Sequence, residues 1–194
     1  MHDSDALNAW NDACRLINSR EESTALAILI RLSDNDYHGA AAAIGRLYEK
    51  GGVNMPLDLP AARYWFERAI SDSDNDNDSR VALARVILKS DPAQAVVAIN
   101  HLRVAAKNSN PIALGMLAVF FERGAFVSHN EIEAERHYRR ASELGLVYAM
   151  VRLSKILCSR GQIISGIKLR IKATIKTFKV IRSNPTSWEL WQYV

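Results

Sequence analysis

Ala40-x-x-x-Ile44-Gly45-x-x-Tyr48-x-x-Gly51, then Val53, then Asp58-x-x-x-Ala62-x-x-Trp65-Phe66-x-x-Ala69 is the stretch that decides the fold. Apolar residues three and four apart form two helical stripes, and small residues sit inside both. Gly51-Gly52 stops the first helix, because glycine accepts the left-handed backbone of a helix C-terminus. Pro60 suits the first turn of the second helix, where its missing N–H costs nothing, and Asp58 is placed to cap it. The stretch therefore reads as two helices that pack closely across a Gly/Pro-rich turn.

The rest of the 194-residue chain repeats this unit in drifted form. Ala40, Tyr48 and Gly51 recur as Ala113, Phe121 and Gly124, 73 positions on, and Ala62, Trp65, Phe66 and Ala69 recur as Ala134, His137, Tyr138 and Ala141, 72 positions on. Half of that interval, about 36, is one helix pair. An intermediate copy carries Leu83-Ala84, Ile87 and Ser90, then Ala98, His101, Leu102 and Ala105. The last has Ala149, Leu153-Ser154 and Leu157, then Gly166, Leu169, Arg170 and Ala173. A looser first copy spans Ala13-Cys14 and Ile17, then Ala25, Ile28, Leu29 and Leu32. One position of each first helix is always small: Cys14, Gly45, Ala84, Ala118 or Ser154. A small residue there lets the second helix of the pair approach, and the larger residue three later fills the groove.

These residues predict an all-α chain of about five antiparallel helix pairs at about 4–33, 38–71, 79–107, 111–144 and 147–182, forming one domain over 1–182. An aromatic tail, 183–194, holds Trp188, Trp191 and Tyr193 and is expected either to cap its own last helix or to dock on a neighbour. No run reaches the roughly 18 uncharged apolar residues of a membrane helix. Met1-His2-Asp3-Ser4-Asp5 is acidic and lacks a basic n-region, so no secretory signal is expected and the cytoplasm is the expected location. Cys14 and Cys158 each lie in an apolar stripe and read as buried thiols in a reducing compartment.

The motif Ile44-Gly45-x-x-Tyr48-x-x-Gly51, Val53, Asp58, Ala62, Trp65-Phe66, Ala69 resembles the Sel-one-like repeat (SLR) family, a branch of the tetratricopeptide superfamily. Leu117-Ala118-x-x-Phe121-x-x-Gly124, Val127, Ala134, Tyr138, Ala141 and Gly145 match it a second time, and the resemblance covers about 38–175. The Ser90-Asp91-Pro92 turn of the intermediate copy is shorter than the family's. The resemblance implies a right-handed α-solenoid and non-enzymatic adaptor, scaffold or binding work, often bacterial, with no shared catalytic residues and no cofactor. An immunity-type protein that masks a toxin is one version of that expectation.

The residue after each small one is Arg15, Arg46, Arg85, Val119 or Lys155, four of them basic. By the resemblance, first helices line a concave wall, so these cations would form a ladder for an acidic protein or peptide. Asn11, Glu49, Leu88 and Tyr148 would neighbour it. The alternative is solvated helix surface with ion pairs to Glu49 or Glu122. Charge is also polarised along the chain. Residues 1–80 hold 14 acids and 8 bases, a balance of −6; residues 81–143 hold 6 acids and 8 bases, +2; residues 144–194 hold Glu189 and 9 bases, +8. At the basic end the simplest reading is the polar outer face that a terminal repeat needs for solubility. Nucleic-acid binding through the C-terminal helices is a second reading, and an anionic membrane is as little supported, because neither Gly-rich nor aromatic interleaving is present.

Other constellations are weak. Asp72-x-Asp74-x-Asp76 resembles the start of a calcium loop, but Asn77 stands where glycine is needed and Leu83 where a bidentate carboxylate is needed. Ser165-x-x-Lys168 matches a serine–lysine pattern without its companion motifs, which leaves a cell-envelope enzyme or peptidoglycan-ligand binder as an outlying class. His2, His38, His101, His129 and His137 are scattered and no group has metal-ligand spacing, so no metal site is expected. His101 and His137 occupy the position of Trp65 and read as packing residues.

Overall fold

The computed structural model describes residues 3–183, and the tail aromatics Trp188, Trp191 and Tyr193 lie outside the described residues. Among the described residues there are ten α-helices: α1 (Asp3–Asn18), α2 (Glu22–Ser33), α3 (Ala40–Lys50), α4 (Leu59–Asp72), α5 (Asn77–Ser90), α6 (Ala95–Lys107), α7 (Pro111–Arg123), α8 (Glu131–Glu143), α9 (Val147–Ser159) and α10 (Ile163–Ser183). The all-α architecture of successive helix pairs expected from the sequence is thus present. One difference is local. The helix expected from Pro92 opens with a 3-10 turn, Pro92–Gln94, because Asp91 caps tightly and accepts from Ala93 N–H at 3.1 Å. The chain forms two compact units, 1–101 and 102–194, with the boundary inside α6.

In the first unit, α3 and α4 meet where the sequence places its small residue. A Cβ added to Gly45 would stand 2.8 Å from the Phe66 ring, and Phe66 is fully buried. Gly51 ends α3 at φ +66°, and a side chain there would also meet the Leu57 backbone N at 2.9 Å. The loop then closes on itself: Gly52 N–H donates to Met55 O, and Asp58 N–H donates to Tyr48 O at 2.9 Å. Asp58 caps α4, its Oδ1 accepting from Ala61 N–H at 2.9 Å, with Pro60 in the first turn. Around this pair, Leu29, Leu32, Ile44 and Leu47 form a core against which Trp10, Tyr37, Tyr48 and Trp65 pack. Burying a side chain such as Phe66 contributes about 1.5–3 kcal/mol over leaving it in water. Two residues of the suspected calcium run are used within the fold. Asp76 caps α5, accepting from Ser79 N–H at 2.9 Å and Ser79 O–H at 2.6 Å, and Asp74 pairs with Arg80.

In the second unit, Asn110 and Asn130 cap α7 and α8. Ala118 and Tyr138 stand where Gly45 and Phe66 stood, both fully buried. α10 packs on α9 through Gly166, whose added Cβ would meet Ser154 O at 2.8 Å and the Cys158 sulfur. Lys176 Nζ donates to Gly145 O at 2.5 Å. Two expectations fail here. Cys158 is exposed and Cys14 only half-buried, since both lie at the margins of their stripes; both thiols are free. The outer face of α10 is not polar either. Ile163, Ile164, Ile167, Ile171, Ile175, Phe178 and Ile181 are all exposed, because only the narrow strip of Gly166 and Ala173 is buried.

His137 packs as expected, stacked on Phe121 with ring centroids 5.6 Å apart. Burial first, then Arg136 and Arg140, hold its pKa below the ordinary 6.5 against the opposing pull of Glu133. His101 is lowered by burial first and then by Arg80 and Arg63, with Glu67 opposing.

Two outcomes are expected. Gly45→Leu drives a side chain into Phe66 and lowers the stability read from urea unfolding by about 1–3 kcal/mol. The unfolded chain protonates its imidazoles near 6.5 while folded His101 and His137 stay neutral to lower pH. The unfolded state therefore binds more protons, and stability falls as pH drops from about 7 to about 5. His137→Phe should flatten that fall in a Tm-against-pH series.

Candidate partner-binding surface

The residue that follows the groove-filling aromatic is a glutamate in both well-formed copies: Glu49 after Tyr48, and Glu122 after Phe121. Each is held by an arginine from the next first helix of its own unit. In the first unit, Arg85 on α5 donates Nε–H to Glu49 Oε1 at 2.5 Å and Nη2–H to Oε2 at 2.7 Å, a two-point fork. Lys89, one turn further along α5, lies 3.7 Å from the same carboxylate. Glu49 is buried, its side chain 9% exposed, against 32% for Arg85 and 53% for Lys89. A buried carboxylate is tolerable only when paired, and the forked guanidinium supplies both charge and geometry.

In the second unit, Glu122 accepts from Tyr138 O–H at 2.8 Å and pairs with Arg152 on α9. Tyr138 needs that acceptor because its ring replaces the apolar Phe66 and takes a hydroxyl into the core. Burial first, then the hydrogen bond and charge of Glu122, push its pKa well above the usual phenol range. Burial lowers the Arg152 pKa, but the bond and charge of Glu122 outweigh it and the net shift is upward. The Tyr148 ring lies 6.2 Å from Tyr138.

The ladder residues thus divide. Arg85 is spent on Glu49. Arg15 is exposed and pairs with Asp12 one turn earlier at 2.8 Å, a surface contact worth little. Arg46 is exposed and makes no hydrogen bond or ion pair with another described residue. Lys155 is likewise exposed and unpaired among described residues, and it belongs to the second unit. The structure therefore brings Glu49 and Arg85 together, with Leu88 half-buried on α5 and Asn11 exposed on α1. Of the partners of Glu122, Tyr138 stands in the repeat alignment as the counterpart of Phe66, and Arg152 was not singled out by it. Their signal was the repeated glutamate itself, since a buried carboxylate demands a donor wherever one can reach. Arg152 sits one helical turn before Lys155, so counting from the small residue alone points to the wrong rung.

On α3, Arg46 and Lys50 flank Glu49 in the sequence and make no ion pair with another described residue, while Arg85 and Lys89 of α5 are engaged with the Glu49 carboxylate. Arg46 lies one turn before Glu49 and one turn before Lys50 on α3. Ser165 and Lys168 are both exposed on α10 and share no hydrogen bond.

Two segments, residues 38–74 and 111–146, match the family model described as Sel1 repeat. Among solved structures, a Sel1 repeat protein from Oxalobacter formigenes is similar with a TM-score of 0.72 at 19% identity, over 86% of this chain and 69% of that one. The protective antigen c5321 of uropathogenic Escherichia coli, which displays an SLR fold, gives 0.69 at 18% identity over 97% of this chain. This chain spans only 44% of that antigen. A Sel1 repeat protein from Klebsiella pneumoniae gives 0.58 at 17% identity, over 91% of this chain and 89% of that one. At these identities the likeness is one of fold. No curated protein matches the sequence.

Glu49→Ala should remove a two-point charged bond and lower stability by about 1.5–3 kcal/mol in urea unfolding. Arg46→Ala, exposed and unpaired, should stay within about 0.5 kcal/mol of the parent.

Proposed function

We propose that this chain, two segments of which match the Sel1 repeat model, is a non-enzymatic binding module whose first unit captures an acidic protein segment. Sel1-repeat proteins generally mediate protein–protein interaction and are typically not enzymes. The observation that carries the acidic partner is the unspent charge at Arg46 and Lys50, beside Arg85 and Lys89 with a single buried carboxylate among them. Four cations and one anion within a few helical turns leave a local excess of positive charge in a half of the chain that is otherwise acidic. A segment presenting two or more carboxylates would pair with Arg46 and Lys50 without disturbing the Arg85 fork. Arg46 suits the role because a guanidinium engages a carboxylate at two points. The partner's charge would also speed encounter, so binding should weaken with added salt. Arg15, exposed on α1 of the same unit, would contribute steering rather than contact.

The test uses the full chain and a fluorescent glutamate- and aspartate-rich peptide, titrated by anisotropy at low and high salt. Arg46→Glu is expected to weaken binding about tenfold at low salt while the melting temperature stays that of the parent. Arg85→Glu is expected to lower the melting temperature as well, because it breaks the fork on Glu49. Unchanged binding by Arg46→Glu would remove the cationic patch from consideration.

A further inference from the structure

The face that α10 turns outward is apolar and exposed; α2 and α6 also carry Leu26, Ile30 and Ile99 at these positions, but there they are at least partly buried, and α4 and α8 are charged. With Gly166 aligned on Ala134 of α8 and on Ala62 of α4, Ile167, Ile171 and Ile175 fall where α8 carries Glu135, Arg139 and Glu143 and α4 carries Arg63, Glu67 and Ser71. In those helices the positions hold i,i+4 ion pairs: Arg63–Glu67, with side chains 34% and 50% exposed, and Glu135–Arg139, where Glu135 is 14% exposed and also pairs with Arg160. On α10 the three isoleucines are 51%, 54% and 52% exposed, and Ile164 and Phe178 extend the stripe to 72% and 68% exposed. From Ile164 to Phe178 the stripe runs about 21 Å along one straight helix. A contiguous apolar surface of this kind on a folded protein marks something that covers it.

Charge and shape say what kind of cover. Residues 147–183, the α9–α10 pair, contain no aspartate or glutamate, and Lys168, Lys172 and Lys179 lie exposed along one flank of the stripe with Arg170 beyond the other. A second copy of α10 would bring cations against cations. The 184–194 segment offers one acid, Glu189, against these bases. Close helix contacts in this chain use a small residue, as at Gly45 on Phe66, Gly115 on Leu146 and Gly166 on Ser154. The stripe has none, only branched and aromatic side chains, so it suits a soft apolar medium better than another helix.

We propose that the outer face of α10 docks on an anionic lipid surface. The isoleucines and Phe178 would enter the boundary between headgroups and acyl chains, and Lys168, Lys172 and Lys179 would reach the lipid phosphates on their flexible stems. No helix of the described residues is long and apolar enough to cross a membrane, so the contact is a surface one. Trp188 and Trp191 follow in the sequence, and tryptophan favours the same interface.

The test is co-sedimentation of the full chain with vesicles of phosphatidylcholine mixed with phosphatidylglycerol, and with vesicles of phosphatidylcholine alone. The triple variant Ile167→Glu, Ile171→Arg, Ile175→Glu gives α10 the charged pattern of α8 and so should keep the fold, which its thermal melt checks. The full chain is expected to partition onto the mixed vesicles at least about tenfold more than onto the neutral ones, and the folded triple variant to lose about tenfold or more. Lys168→Glu with Lys172→Glu should weaken binding and its salt dependence together. Failure of the parent to bind mixed vesicles, or equal binding by the triple variant, overturns the proposal. So would a parent dimer that the triple variant makes monomeric, which would assign the stripe to a second copy. A shift of tryptophan emission in the lipid-free triple variant would assign it to 184–194 and overturn the proposal equally.

Discussion

A methyl group on Gly45 would stand 2.8 Å from the Phe66 ring, so α3 and α4 hold their separation only while that position carries no side chain. Much of the first unit follows from this approach. It lets Phe66 bury completely, brings Trp65 against the core of α1–α3, and sets the length of chain that the Gly51–Asp58 loop must span. The loop meets that length with backbone bonds of its own, Gly52 to Met55 and Asp58 to Tyr48, and delivers Asp58 as the cap of α4. In the second unit the same contact is rebuilt with Ala118 and Tyr138. The added hydroxyl is the reason that copy needs an acceptor, and Glu122 provides it.

The glutamates behind the aromatic positions then join one helix pair to the next. Glu49 is too buried to stand alone and Glu122 is partly buried, and each recruits an arginine from the following first helix, Arg85 to Glu49 and Arg152 to Glu122. Such a pair is costly to break from one side, since removing the arginine strands a carboxylate in low dielectric. It also removes arginines from the pool available to a partner. Charge counted along the sequence therefore overstates the charge on display. On α3, Arg46 and Lys50 make no ion pair with another described residue, whereas Arg85 is engaged with Glu49.

The helix pairs, the Asp58 cap and the close contacts at the small residues were legible because they depend on neighbours in sequence. Asp58, Gly51 and Gly45 act within a turn or within one pair, and the 72- to 73-residue recurrence repeats the same local problem. The roles of His101 and His137 as packing residues were legible for the same reason. The state of the charged and apolar surface was not. Cys158 lies in a stripe that reads as core and the basic end reads as a polar outer face, yet Cys158 and the α10 isoleucines are exposed, because a stripe is buried only if something lies opposite it.

By itself, then, the sequence determined an all-α chain of paired helices, about where each pair lies, and which small residues let the pairs close. Those features follow from hydrogen bonding and sterics over a few residues. Only the tertiary structure decided which arginines are spent and which are free, that Arg152 rather than Lys155 engages Glu122, and that the last helix shows an isoleucine face where α4 and α8 show ion pairs. Each of these depends on what stands across from a side chain, and a linear pattern does not carry that.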